Sequence, residues 1–216
     1  MKPIIKICGF MRPIDISMCC WYGTNILGFV VDYPKPVPWN LSLASATELI
    51  STVPPSAETC IVTGGSPEKI ISIALKAKPN YIQLHANETL AETAHLVSTL
   101  SVNGIKIIKT LFPNTPSIEK AAVDFCESGI NALLFDARSP DRATQGGPAD
   151  LSTFEKIRRV VSCPVILAGG ITPENVVDIV TRSKAQVIDL MSGIEDHPGI
   201  KNEAKVARLF QSLSSL

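Results

Sequence analysis

What most constrains the fold of this chain is a pattern met eight times between Ile4 and Leu213. A short apolar run leads into a loop, and the loop leads into a longer segment with helical spacing. The runs are Ile4 to Cys8, Ile26 to Val31, Thr59 to Val62, Tyr81 to Leu84, Ile105 to Lys109, Ala132 to Phe135, Pro164 to Ala168 and Val187 to Leu190. They are rich in β-branched residues and nearly continuous in apolar character, as strands covered on both faces are. The intervening segments carry helix starts: Arg12-Pro13, Ser42, Ser66-Pro67, Asn87-Glu88, Thr115-Pro116-Ser117, Ser152 and Thr172-Pro173-Glu174. Pro is tolerated in a first helical turn, and Ser, Thr and Asn cap it. In the last segment Val206, Leu209, Phe210 and Leu213 fall at i, i+3, i+4 and i+7, one apolar stripe.

Crossovers long enough for a helix join parallel strands. Eight such units predict a (β/α)8 TIM barrel, read as a single domain over residues 1–216. An open doubly wound sheet is the competitor, but no G-x-G-x-x-G follows any of the runs. The loop from Tyr33 to Asn40, with Pro34, Pro36 and Pro38, excludes regular structure there.

The formal net charge is zero and no basic run exists, so nothing here predicts a nucleic-acid or anionic-membrane partner. No basic segment leads into an apolar core at the N-terminus, and no apolar run approaches the roughly 20 residues of a membrane span. The expectation is a soluble, cytoplasmic protein. Six cysteines are scattered without a C-x-x-C pair, beside three histidines (His85, His95, His197), which argues against structural zinc and against a disulfide framework. Cys19, Cys20, Cys60, Cys126 and Cys163 read as buried, reduced packing residues.

Reacting groups of such a barrel sit where strands end, which here gives Cys8, Asp32, His85, Thr110, Asp136, Gly169-Gly170 and Ser192-Gly193. Strand alternation puts Lys6 and Cys8 on one face, with Ile5 and Ile7 on the other. A neighbouring ammonium favours the thiolate, the form in which Cys acts as base or nucleophile, although a reduced Cys is as readily a small core residue. Gly146-Gly147, Gly169-Gly170 and Ser192-Gly193 follow the sixth, seventh and eighth runs, where backbone N–H groups and a short helix can hold a phosphate. Asp136 ends an apolar run at the mouth, where low dielectric raises a carboxyl pKa toward general-acid duty; a loop or capping Asp fits equally. Asp189 lies inside the eighth run, within reach of backbone or of Lys6. His85 reads as a hydrogen-bonded mouth residue.

Lys6-Ile7-Cys8-Gly9, Leu27-Gly28-Phe29-Val30, Gln83-Leu84-His85, Leu134-Phe135-Asp136, Leu167 to Val176, and Ser192-Gly193-Ile194-Glu195 followed by Pro198-Gly199-Ile200-Lys201 resemble, in order, the phosphoribosylanthranilate isomerase family. The resemblance spans nearly the whole chain. It implies a cofactor-independent Amadori rearrangement in tryptophan biosynthesis, from N-(5-phosphoribosyl)anthranilate to 1-(2-carboxyphenylamino)-1-deoxyribulose 5-phosphate. In that reading Asp136 protonates the furanose oxygen, Cys8 as thiolate removes the C2 proton, and amides near Gly147, Gly170 and Gly193 hold the phosphate. The partner is a phosphorylated sugar, and the oligomeric state is a monomer or a homodimer.

The sequence departs from the family pattern in four loops. The family's S-P-R, whose Arg clamps the anthranilate carboxylate, is here Val37-Pro38-Trp39. Lys35 and Arg138 are the cations left to meet the carboxylate, and Trp39 offers a stacking face. G-G-[ST]-G is Gly146-Gly147-Pro148-Ala149, H-G-D-E is His85-Ala86-Asn87-Glu88, and S-S-G is Met191-Ser192-Gly193. Three readings therefore stand: the isomerase itself, a paralogue acting on another phosphorylated aminosugar, and a non-catalytic barrel that binds a phosphorylated ligand.

Overall fold

The computed structural model describes residues 2–137, 150–214 and 216. Eight parallel strands close into a barrel: β1 Ile4–Cys8, β2 Ile26–Val30, β3 Glu58–Thr63, β4 Tyr81–Leu84, β5 Lys106–Leu111, β6 Ala132–Asp136, β7 Val165–Ala168 and β8 Val187–Leu190. Each strand pairs with the next in sequence, and β1 pairs with β8 to close the ring, with Lys6 opposite Asp189. The helices are α1 Pro13–Tyr22, α2 Leu43–Ser51, α3 Pro67–Ala77, α4 Leu90–Ser101, α5 Ile118–Glu127, α6 Leu151–Val160, α7 Val176–Ser183 and α8 Glu203–Leu213. No helix among the described residues is long and apolar enough to cross a membrane.

Alternation along the strands divides the apolar residues into two layers. Ile5, Ile7, Leu27, Phe29, Ile61 and their counterparts face the helices and form the larger core. Ile26, Cys60, Ile108, Leu134 and Ile166 fill the barrel interior. A third, smaller cluster at the mouth joins Cys8, Val30, Trp39 and Val62. The α8 stripe behaves as its spacing requires, with Val206, Leu209, Phe210 and Leu213 all buried.

Three helix starts differ from the sequence reading. α4 begins at Leu90, capped by Thr89 in a reciprocal box with Glu92, because Glu88 turns inward to pair with Lys109. α5 begins at Ile118 without a side-chain cap, because the Thr115 hydroxyl instead accepts from the backbone N–H of Phe112. α7 begins at Val176, after a turn in which Asn175 Oδ1 accepts from the N–H of Thr172. The short helix expected after β8 is one 3-10 turn, Ser192–Ile194, and the chain then forms an unforeseen hairpin, β9 Glu195–His197 with β10 Ile200–Lys201. The cysteines also divide: Cys19 and Cys60 are buried, but Cys20, Cys126 and Cys163 are only half-buried. Cys126 is not a plain packing residue, since its sulfur accepts from the Cys163 N–H at 3.0 Å.

Candidate active site

At the C-terminal rim of the barrel lies a cavity of about 410 Å³. Its wall includes Cys8 from the end of β1 and Asp136 from the end of β6, with Asp189, Trp39, His85 and Gly169 between them. The size suits a drug-sized or sugar phosphate ligand.

Cys8 is buried, and its sulfur sits over Gly28 of β2. A Cβ on residue 28 would lie 2.8 Å from Cys8 Sγ, so the neighbouring strand leaves room for the thiol only by having no side chain there. Burial pushes the Cys8 thiol up, Lys6 pulls it down, Asp189 pushes it up again and Lys201 pulls it down; the net direction is up. The sequence expectation that Lys6 favours the thiolate is therefore right in sign but outweighed. The Lys6 charge is shared with Asp189, whose Oδ2 accepts from Nζ at 2.8 Å. Burial works against the Lys6 ammonium, yet Asp189, with Cys8 and Cys60 beyond it, holds it above the ordinary lysine value.

Lys6 is not part of the cavity wall. Its ammonium lies in the barrel interior with no solvent exposure, paired with Asp189 and placing its charge beside Cys8. Asp32 is likewise not on the wall. It is exposed at a positive φ of 42°, and its carbonyl accepts from Lys69.

The seventh and eighth loops meet closely, since a Cβ on Gly193 would lie 2.1 Å from the carbonyl oxygen of Ile171. Gly169 and Gly170 stand at φ of 93° and 71°, a left-handed pair that glycine alone adopts without strain. Arg138, Gly146 and Gly147 lie outside the described residues. Among the described residues no group of three or more His, Cys, Asp or Glu is arranged to hold a metal ion.

The sequence that builds this barrel matches a known family. The model of N-(5'-phosphoribosyl)anthranilate (PRA) isomerase matches residues 5–212. The chain belongs to the PRA isomerase family. An N-(5'-phosphoribosyl)anthranilate isomerase of Pelodictyon phaeoclathratiforme is 33% identical, over 97% of this chain and 96% of its own. That of Methanopyrus kandleri is 30% identical, over 98% and 99%. The crystal structure of the enzyme from Thermotoga maritima superposes with a TM-score of 0.85 at 25% identity, covering 99% of this chain and all (100%) of that one.

Trp39 is almost fully buried, and its indole N–H is turned away from the cavity to Glu195, donating to Oε1 at 3.1 Å and to Oε2 at 3.2 Å. His85 is held by Thr110 Oγ1 at 3.1 Å and Gln83 Nε2 at 3.2 Å, and its ring meets Phe112 edge-on, as a mouth residue. Sequence reasoning missed Tyr33, whose hydroxyl donates to the His85 carbonyl at 2.8 Å, and Gln83 in the floor. It also missed the roles of Glu195 and Lys201, although the Pro198-Gly199 turn signal between them marks the hairpin that brings them together.

Proposed function

We propose that this PRA isomerase family member carries out its rearrangement with Asp136 as general acid and Cys8 as general base. The reaction opens N-(5'-phosphoribosyl)anthranilate by protonating the furanose oxygen, which leaves a Schiff base. A thiolate then takes the C2 proton, and the enolamine tautomerises to the ketose. Acid and base must stand on different sides of one bound sugar. The observation that carries this reading is that Cys8 and Asp136 end β1 and β6, non-adjacent strands, and share one cavity wall.

The phosphate belongs, in this reading, at the converging seventh and eighth loops, against the backbone of Gly169, Gly170, Ser192 and Gly193, completed by Gly146 and Gly147. The family match does not favour the paralogue or the pure binder. With Trp39 committed to Glu195, Lys35 is the one Lys or Arg on the cavity wall among the described residues, and it is assigned to the anthranilate carboxylate. Lys109 of β5 is buried against Glu88 instead.

The test is fluorescence-monitored consumption of phosphoribosylanthranilate by the purified protein and by Cys8→Ser and Asp136→Asn. Loss of one proton-transfer group costs about 10²–10⁴-fold in rate. Both variants are expected to fall by that much while circular dichroism and melting stay near wild type. Because the free thiol is pushed up, kcat/KM of the wild type should still be climbing with pH above neutrality. Wild-type rates in both variants would refute the roles.

A further inference from the structure

Behind the wall that carries Cys8 lies a buried ion pair that the chemistry above does not use. Lys201 Nζ lies 2.7 Å from Glu195 Oε1 and donates to the backbone carbonyl of Cys8 at 2.5 Å. The two side chains are 0% and 4% exposed. Glu195 also accepts from the Trp39 indole and from the Gly199 N–H at 3.1 Å. One carboxylate therefore gathers donors from the β2–α2 loop, the hairpin turn and β10, and its lysine partner holds the end of β1. A buried ion pair is weak evidence for stability, because an apolar pair of the same volume commonly does as well or better. Its retention here calls for another reason.

We propose that Lys201 is a positioning residue for the Cys8 base, anchored by Glu195: it fixes the end of β1 through the Cys8 carbonyl and sets a positive charge that favours the thiolate. The inference rests on the reading of Cys8 as base. The ammonium is hydrogen-bonded to Cys8 itself, whereas the carboxylate bonds only Trp39, Gly199 and Lys201 among the described residues, so the cation is the end of the pair that Cys8 meets. Cys8 also faces Lys6 on β1, Asp189 on β8 and Cys60 on β3, and shares the cavity wall with Asp136 and His85. Lys201 in turn neighbours Asp15 and Cys19 of α1, and Asp15 is held by Arg12.

The experiment follows the pH dependence of Cys8 alkylation by iodoacetamide, read by mass spectrometry on the Cys8 peptide, beside the pH profile of kcat/KM. Lys201→Met should move both midpoints to higher pH and lower kcat/KM at neutral pH by about tenfold, since one pKa unit leaves about a tenth of the thiolate. Lys201→Arg should restore most of the shift. Glu195→Gln, which leaves the cation uncompensated, should move both midpoints to lower pH. Opposite signs are not what a general loosening of the wall produces. Midpoints that coincide with wild type, or that move in the same direction in Lys201→Met and Glu195→Gln, overturn the proposal. Should Lys201→Met fail to fold, the downward shift in Glu195→Gln decides. Failure of the enzymatic reading would instead show as no turnover by wild type, or full turnover by Cys8→Ser, with the alkylation midpoints still informative.

Discussion

The thiol of Cys8 shows how much of a site is set by what neighbouring residues leave out. Its face was legible from the alternation of Lys6 and Cys8 against Ile5 and Ile7, because a strand has only two faces. Its net titration was not legible, because Asp189 lies 183 residues from Lys6 and meets it only when β8 closes against β1. Gly28 was read as part of a motif, but its reason is spatial: residue 28 is the Cα partner of Cys8, and a side chain there would press on Cys8 Sγ, Cα and Cβ together. Since Cys8 Cα is backbone at 3.1 Å from the added Cβ, a rotamer change cannot relieve the clash and β1 itself must move. Gly28→Ala is therefore expected to destabilise by about 1–3 kcal/mol, as overpacking does, and to lower kcat/KM at least tenfold. Urea unfolding and steady-state kinetics measure the two effects, and an unchanged kcat/KM would show that the thiol tolerates displacement.

At the scale of elements, the strands stood where the apolar runs are, because burial on both faces leaves a continuous signal. Helix starts were less legible, and the β4–α4 loop shows why. Asn87, Glu88 and Thr89 are all plausible openers, and the choice is made by Lys109, 21 residues away on β5, which claims Glu88 at 2.6 Å and leaves Thr89 to cap. That ion pair faces the helix layer, since Lys109 Nζ also lies over the Phe125 ring of α5, and its ammonium donates to the Ala86 carbonyl at 2.9 Å. It thus pins the stretch from His85 to Asn87 that walls the cavity. The hairpin after β8 was hidden for a similar reason: two- and three-residue strands carry no period, so only Pro198-Gly199 announces them. Burial lowers the Lys109 pKa and Glu88 only partly restores it. Glu88→Ala removes the restoring charge and should cost about 3 kcal/mol at neutral pH. The unfolded chain keeps the lysine proton to about pH 10.4 while the folded variant does not, so it binds more protons and stability must rise with pH below that value. Chemical unfolding of Glu88→Ala at neutral pH and near pH 9.5 should show the loss shrinking, and a loss that grows with pH would contradict this account.

For the molecule as a whole, barrel closure and the proposed active site meet at the β1–β8 seam. Lys6 and Asp189 are Cα partners there, buried in the barrel interior below Cys8. An ion pair at that depth does not by itself explain why the ring closes, since the strand ladders and the helix-facing core continue around the seam without it. Taking away one partner is another matter. Asp189→Asn leaves an ammonium in the interior without its counter-charge, which should cost about 3–5 kcal/mol. For a chain of this length that corresponds to a melting temperature lower by roughly 6–20 °C. Replacing both, as Lys6→Met with Asp189→Leu, removes the stranded charge and should recover most of that loss. Turnover should not recover, because Asp189 is part of the cavity wall and the Lys6 charge acts on the thiol. Thermal unfolding and kcat measured on the same two variants separate the possibilities. A double variant as unstable as Asp189→Asn would mean that the ion pair itself holds the barrel shut; a stable but inactive one would mean that β1 and β8 keep these charges for the site above them.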